Sequence, residues 1–382
     1  MSKPPLESDI SPDSKLLITG ARGFIGKNLS AKLINKGYKN ILYYDRDTDP
    51  KLLKEYTKEC DFVFHLAGVN RPKDEKEFME GNFDFTSLLL DELKANKNKA
   101  PILISSSIQA ELDNPYGKSK KAGEDLLLSY GRENGVRVCV YRLPNVFGKW
   151  CRPDYNSAVA TFCNNIAKGI DIVVNDPERV MKLVYIDDVT DEFINALENR
   201  ENKLDDYCYI PTVHTIKLGR IAELIKGFKA ERESCILPKL SDAFVKKLYS
   251  TYLSYLSEDD FSYDLKMNID NRGSFTEFIK TEGNGQVSVN VAKPGITKGN
   301  HWHHSKIEKF LVVKGKGCFK FRRLGSSEVI EYHVSDEKLE VIDIPPGYVH
   351  NIINEGDEEL VTIIWANELF DKDNPDTFYE EV

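Results

Sequence analysis

The sequence predicts two folded units, an α/β domain built on a parallel sheet and then an all-β sandwich or barrel. Three observations carry this reading. From Lys15 to Leu256 short apolar runs alternate with longer amphipathic stretches. After Ser257-Glu258-Asp259-Asp260 helical periodicity gives way to short β-rich runs punctuated by Gly, Pro and Asn. The chain of 382 residues is also too long for one ordinary small domain. The boundary falls near 256–264. Residues 1–14, polar and rich in Pro and Ser, are expected to be a disordered tail, 15–256 the first domain and 257–382 the second.

In the first domain strands are expected over Leu16–Thr19, Ile41–Tyr44, Phe62–Leu66, Ile102–Ser105, Val136–Tyr141 and Ile172–Val174. Helices are expected over Lys27–Asn35, Lys51–Lys58, Phe83–Ala95, Tyr116–Asn134 and Ser157–Lys168, with two more over Leu218–Lys229 and Asp242–Leu256. Strands separated by helices of this length make βαβ units, which place helices on both faces of a parallel sheet. The second domain should hold strands over Gln286–Val291, Phe310–Val313, Cys318–Arg322, Val329–His333, Val341–Ile344 and Leu360–Trp365.

Composition narrows the class. Hydrophobic residues make up 41% and charged residues 30%, enough for a core and for solubility. The net charge is −9 with no dense basic stripe, which argues against a nucleic-acid partner. No run of about 18 apolar residues is present to span a bilayer, and residues 1–14 lack the basic and apolar regions of a signal peptide. Seven scattered cysteines without a C-x-x-C fit neither a disulfide framework nor a zinc knuckle. A cytoplasmic enzyme, with no membrane insertion, is expected.

Thr19-Gly20-Ala21-Arg22-Gly23-Phe24-Ile25-Gly26 follows the first strand and opens a helix. Glycines there let the backbone turn and approach a pyrophosphate seated on the helix N-terminus, as in a Rossmann-type domain. The second strand ends Tyr44-Asp45-Arg46. Asp45 suits the ribose hydroxyls of NAD, whereas Arg46 could pair the 2′-phosphate of NADP, and NADPH is the expected cofactor on the strength of Arg46. Tyr116 and Lys120 then stand at i and i+4 of a helix, after Ser105-Ser106-Ser107 at a strand end. An ammonium beside a phenol favours its ionised form, so the pair can exchange a proton with a carbonyl or alcohol while a serine hydroxyl holds the same oxygen.

These pieces, with His65-Leu66-Ala67-Gly68, Arg142-Leu143-Pro144-Asn145-Val146-Phe147-Gly148 and Tyr185-Ile186-Asp187-Asp188-Val189, resemble the extended short-chain dehydrogenase/reductases that act on nucleotide sugars. The resemblance covers 15–250. It implies Ser107, Tyr116 and Lys120 as catalytic residues, with Ser105 and Ser106 as neighbouring alternatives to Ser107. It also implies cofactor contacts from Gly20, Gly23, Phe24, Ile25, Gly26, Asp45, Arg46, Leu66, Ala67 and Lys120, and a contact of Asn145 with the sugar-nucleotide diphosphate. Ser107 and Tyr116 stand closer in sequence than is usual in that family.

In the second domain His301 and His303, two apart, are expected on one side of a strand, with Glu308 returning to the same pocket and His350 joining from Pro345-Pro346-Gly347-Tyr348-Val349-His350. Three imidazoles and one carboxylate suit a divalent first-row metal with a position open to substrate, with Zn²⁺ expected from availability. The spacings resemble both motifs of the cupins, which are jelly-roll barrels. Asp270–Glu277 resembles the opening segment of cupin-type deoxysugar epimerases. Tyr348 and Lys298 are the candidate epimerase bases. The order of the halves resembles bifunctional capsule-biosynthesis enzymes and implies a zinc-containing homodimer. Such an enzyme acts on a UDP-linked 4-keto-6-deoxy amino sugar, forming UDP-2-acetamido-2,6-dideoxy-L-talose by C3 epimerisation and C4 reduction. The competing reading is an NAD-dependent nucleotide-sugar 4-epimerase or dehydratase with a regulatory or dimerising cupin.

Overall fold

Successive residues of each central strand of the first unit enter opposite cores, as they must where both faces of a parallel sheet are covered. The computed structural model describes residues 10–382. Strands β1 (Lys15–Thr19), β2 (Asn40–Tyr44), β3 (Phe62–His65), β4 (Ile102–Ser107) and β5 (Val138–Leu143) run parallel in the order β2-β1-β3-β4-β5. After β5 the chain leaves for a smaller sheet through β6 (Asn145–Phe147) and β7 (Val180–Tyr185). It then completes the main edge with the short β8 (Lys203–Leu204) and β9 (Tyr207–Cys208), and β10 (His214–Lys217) pairs antiparallel with β7.

The connecting helices are α1 (Phe24–Asn35), α2 (Pro50–Glu59), α3 (Lys76–Met79), α4 (Phe85–Ala95), α5 (Pro115–Asn134), α6 (Ala158–Ala167) and α7 (Ile186–Leu197). Leu16, Ile18, Phe62, Phe64 and Tyr141 pack with Leu29 and Leu33 of α1 and Phe193 of α7. Leu17, Val63, Ile102, Ile104 and Val140 pack on the other face with Leu53, Leu90 and Leu127 of α2, α4 and α5.

Two expectations are corrected here. Ile172–Val174 is not a strand; Val173 is exposed and the run has no sheet neighbour, while the strand of this region is β7. Residues 10–14, expected in the tail, belong to the fold. Ile10 packs against the core and Ser14 is buried, with Ser11 and Ser14 joined by hydrogen bonds; the first nine residues lie outside those described.

The chain divides into two compact units, one reaching Ile225 and including Lys247–Leu256, the other Lys226–Lys246 with Ser257–Val382. The segment 226–246, expected in the first domain, therefore goes with the second, where β11 (Ile236–Leu237) pairs parallel with β13 (Gly273–Thr281). The remaining strands are β12 (Met267–Asp270), β14 (Gly285–Ala292), β15 (Thr297–Trp302), β16 (Glu308–Lys314), β17 (Lys316–Arg323), β18 (Val329–Ser335), β19 (Val341–Ile344), β20 (Tyr348–Asn354), β21 (Leu360–Ala366) and β22 (Phe378–Tyr379). One sheet runs β11-β13-β14-β21-β16-β19 with β12 beside β13, the other β18-β17-β20-β15-β22. Phe310, Val312, Ile344 and Leu360 of the first sheet meet Phe319, Phe321, Val334 and Ile352 of the second in a common core. This is an α/β domain followed by an all-β domain.

Candidate functional sites

The first site begins where β1 turns into α1. Gly20 has φ +70°, and a Cβ there would stand 2.8 Å from the Ala67 backbone. A Cβ on Gly26 would lie 2.4 Å from the Gly20 carbonyl oxygen. Only glycines let β1, β3 and α1 meet this closely. The first turn of α1 has neither a side-chain cap nor an acidic residue, so its free N–H groups are available to an anion.

Gly20, Gly23, Phe24, Ile25, Gly26 and Leu66 line a cavity of about 580 Å³ that also receives Ser107, Tyr116, Lys120 and Asn145. Ala67 does not line it; its N–H donates to Thr19 Oγ1 at 3.3 Å. Asp45 lines an adjoining cavity, where it accepts from the Arg22 N–H and pairs with Arg22 Nε at 3.2 Å. Arg22 also bridges to Asp47. Arg46 is exposed and lines neither cavity. The cation beside Asp45 is thus Arg22, from inside the glycine motif, because Arg46 follows the strand end and points its charge to water.

The three serines have separate tasks. The Ser105 carbonyl accepts from Lys120 Nζ at 2.9 Å, and the Ser106 hydroxyl donates to Glu124 at 2.5 Å. Ser107, whose oxygen caps the following turn by accepting from the Gln109 N–H, lines the cavity with Tyr116 and is the serine that acts on its phenol. Tyr116 occupies the first turn of α5, which Asn114 caps by accepting from the Gly117 N–H at 2.8 Å. Burial raises the Tyr116 phenol, and the Ser107 hydrogen bond opposes that. Burial brings Lys120 down to about 8, against the pull of Glu124. Lys120 keeps further N–H donors beyond the one given to Ser105.

The surroundings hold these groups still. Glu124 is fully buried and grips Arg142 at 2.7 Å, tying α5 to β5 beside the Ser106 bond. His65 is clamped between Thr19 and Thr86, at 2.8 and 2.9 Å, and burial pushes it down to about 3. Asn145 sits on β6, its amide donating to the Lys182 carbonyl at 3.3 Å. Arg152 and Tyr155 also line the cavity, with the guanidinium 5.2 Å from the ring centre. No motif marked them, because they stand in an irregular loop.

The second site gathers His301, His303, Glu308 and His350, whose ligand atoms lie within 4.8 Å of one another. A bulge makes this arrangement. Gly299 pairs with Asn351 and His301 with His350, so Asn300 is an extra residue that turns His301 opposite His350. Gly299, at φ +109°, would set a Cβ 2.8 Å from Asn351. His303 lies one residue past the end of β15, not on the strand, and Glu308 reaches in from the facing sheet.

The Nδ1 atoms of His303 and His350 lie 2.6 Å from the Asp376 carbonyl and 3.3 Å from the Tyr348 carbonyl. Donation there leaves each Nε2 as a bare acceptor, 3.5 and 3.6 Å from Glu308, and both are buried without a hydrogen-bond partner. Two orphaned imidazole nitrogens aimed at a carboxylate fit a divalent cation. Burial would raise Glu308, yet the positive charge that His303 and His350 carry when protonated holds it well below the usual range; burial and the neighbouring imidazoles lower His301 to about 4.

Asp376 secures the loop after His303, accepting from the N–H groups of His304, Ser305 and Lys306 at 2.8–2.9 Å. A cavity of about 760 Å³ opens beside His301, Glu308 and His350. Lys298 lines it, but its ammonium donates to Ser274 O, Asn290 Oδ1 and Val291 O, which leaves no lone pair for a base. Tyr348 does not line it and packs against the core instead. Neither candidate base is placed for that role: Lys298 is a cationic wall residue and Tyr348 a packing residue.

A glycine loop leading to a Ser-Tyr-Lys constellation is the feature against which the sequence comparisons are set. Residues 16–208 match the NAD dependent epimerase/dehydratase family and residues 268–378 the polysaccharide biosynthesis C-terminal domain. The chain belongs to that epimerase/dehydratase family. It is 44% identical to the UDP-2-acetamido-2,6-beta-L-arabino-hexul-4-ose reductase of Pseudomonas aeruginosa, over 95% of this chain and 98% of that protein. The crystal structure of the capsular polysaccharide assembling protein CapF from Staphylococcus aureus superposes with a TM-score of 0.91 at 52% identity, over 96% of this chain and all of that one. Bordetella bronchiseptica WbmF in complex with NAD⁺ shares only the fold, with TM-score 0.54 and 18% identity over 64% of this chain and 92% of its own. Among the described residues no helix is long and apolar enough to cross a membrane.

Proposed function

We propose that the chain is a bifunctional nucleotide-sugar enzyme. Its second unit, a cupin, inverts C3 of a UDP-2-acetamido-2,6-dideoxy-hexos-4-ulose, and its first unit then reduces C4 to give UDP-2-acetamido-2,6-dideoxy-β-L-talose for capsule or O-antigen polysaccharide. The observation that carries the reading is the Ser107–Tyr116–Lys120 cluster at the end of the glycine-loop cavity, in a chain 44% identical to a hexul-4-ose reductase over nearly its full length. NADPH, when bound, supplies the hydride. Tyr116 delivers the phenolic proton to O4 as charge develops there, Ser107 holds that oxygen, and the Lys120 ammonium favours the phenolate left behind. Asn145 and Arg152 meet the sugar nucleotide at the same cavity. Arg22 beside Asp45 supports NADPH, since its guanidinium can pair a 2′-phosphate.

His301, His303, Glu308 and His350 would hold one Zn²⁺, which when bound supplies positive charge for a carbonyl oxygen that gathers electrons. Lys298 adds a fixed positive charge on the cavity wall. Exposed Leu339 and Val341 on the second unit support a homodimer, and seven cysteines present as thiols support a cytoplasmic home. The test is to supply the UDP-4-keto-6-deoxy-N-acetylhexosamine with NADPH and determine the product by NMR. Stoichiometric NADPH oxidation with inverted C3 and a C4 alcohol is expected; turnover without net NADPH oxidation would return the 4-epimerase or dehydratase reading.

A further inference from the structure

The outward face of the sheet β18-β17-β20-β15-β22 carries a second set of ligating side chains. Phe319 and Val334 point into the core, so their neighbours Cys318 and His333 face away from it. Cys318 and His333 are directly paired across β17 and β18, and Glu355 follows the end of β20, where Asn354 pairs with Gly317. One ligand atom from each of the three lies within 4.8 Å of the others. His333 Nδ1 is 3.0 Å from Glu355 Oε2, and its Nε2 is 3.9 Å from Glu331 Oε2, a carboxylate held by Lys320 at 2.7 Å. None of the three lines the cavity beside His301 and His350.

We infer that Cys318, His333 and Glu355 form a second divalent-cation site, a Cys-His-carboxylate set suited to Zn²⁺ or another thiophilic ion with its fourth position open to solvent. With metal bonds of about 2.3 Å to sulfur and about 2.0–2.2 Å to nitrogen and oxygen, tetrahedral ligand atoms stand roughly 3.4–3.6 Å apart. Side-chain rotation alone reaches that from the observed spread, because His333 is two-thirds exposed. Bound through Nδ1, the imidazole would turn Nε2–H toward Glu331, the outer carboxylate that orients ligating histidines elsewhere. The ion would tie the β17–β18 hairpin to the turn after β20. This does not depend on the catalytic reading of either unit.

Sulfur makes the site separable from the four-ligand site, which has none. The full-length protein, stripped of metal by chelation and checked to remain folded, is titrated with Co²⁺ while thiolate-to-cobalt charge-transfer absorption is followed. The expected result is a band that reaches the intensity of one thiolate-bound Co²⁺ per chain, is absent in Cys318→Ser, and needs at least about tenfold more Co²⁺ in His333→Ala. His333→Ala changes an exposed side chain and keeps the fold testable, with thermal melting as the control. Absence of a thiolate band at saturation, its persistence in Cys318→Ser, or unchanged affinity in His333→Ala would overturn the site.

Discussion

Asp376 is the residue on which the four-ligand site is most exposed to a single change. Its carboxylate accepts from three consecutive N–H groups and from the Ser305 hydroxyl at 3.1 Å, while its own carbonyl takes His303 Nδ1 at 2.6 Å. Asp376→Ala removes the anchor and frees the peptide that orients a ligand. Hydrogen bonds to a charged acceptor contribute about 1.5–3 kcal/mol each, but water replaces part of that at the half-exposed loop, so the expected loss of stability is about 2–4 kcal/mol. The main-chain carbonyl that takes His303 Nδ1 survives the change but is no longer held in place; outright loss of an outer partner to a ligating histidine costs about 10–100-fold in metal affinity, or about 1.4–2.7 kcal/mol, which sets the upper bound here. Asp376→Asn keeps one side-chain oxygen and should fall between. Competition against a chelator of matched affinity reads the effect. Affinity of Asp376→Ala within twofold of the unmutated protein would refute the positioning role, whatever the variant's stability.

Tyr116→Phe should lower kcat by about 10²–10⁴ and leave dinucleotide affinity intact by calorimetry; near-normal turnover would remove Tyr116 as the proton donor. Arg22→Ala should weaken NADPH by about tenfold or more while sparing NADH, and Arg46→Ala should change neither, since Arg46 lines neither cavity. Lys120, brought down to about 8 by burial, gives a signed pH dependence. Between there and its ordinary value of 10.5 the unfolded chain holds the proton and the folded chain does not, so this group makes stability rise with pH across that window. The cost of its burial is present below the window. Urea midpoints of Lys120→Met should lack that rise; parallel slopes in the two proteins would exclude it.

The periodicity of apolar residues exposed the parallel sheet because each strand had to serve two cores, and Leu16, Leu17 and Ile18 show why the run is unbroken. It failed at Ile172–Val174, where an apolar triplet has no strand beside it; pairing is not encoded in a single run. The strand β20 carries the polar His350, Asn351 and Asn354 toward buried positions, which hid it from an apolar template. The gathering of His301, His303, Glu308 and His350 was legible because their spacing suits a shared ligand set. Asp376 was not, since a residue far along the chain that binds backbone N–H groups leaves no motif. Arg22 was hidden for the opposite reason, lying inside a motif read for its glycines.

The order of the two proposed steps follows from carbonyl chemistry and yields the sharpest test of the pairing. A ketone at C4 acidifies the proton on C3, because removal of that proton gives a carbanion whose charge rests on O4. An alcohol at C4 offers no such acceptor, and C3–H becomes as inert as any other carbinol hydrogen. On the proposed reading, reduction by the Tyr116 site therefore closes the route to epimerisation, and the second unit must act first. The full-length protein given the keto-sugar in D₂O without NADPH should incorporate deuterium at C3. Given the reduced product in D₂O without oxidised cofactor, it should incorporate none, and adding NADP⁺ should restore exchange by regenerating the ketone. Exchange into the reduced product with no dinucleotide present would mean that C3 is activated without the C4 carbonyl, and the two sites would no longer be coupled by that chemistry.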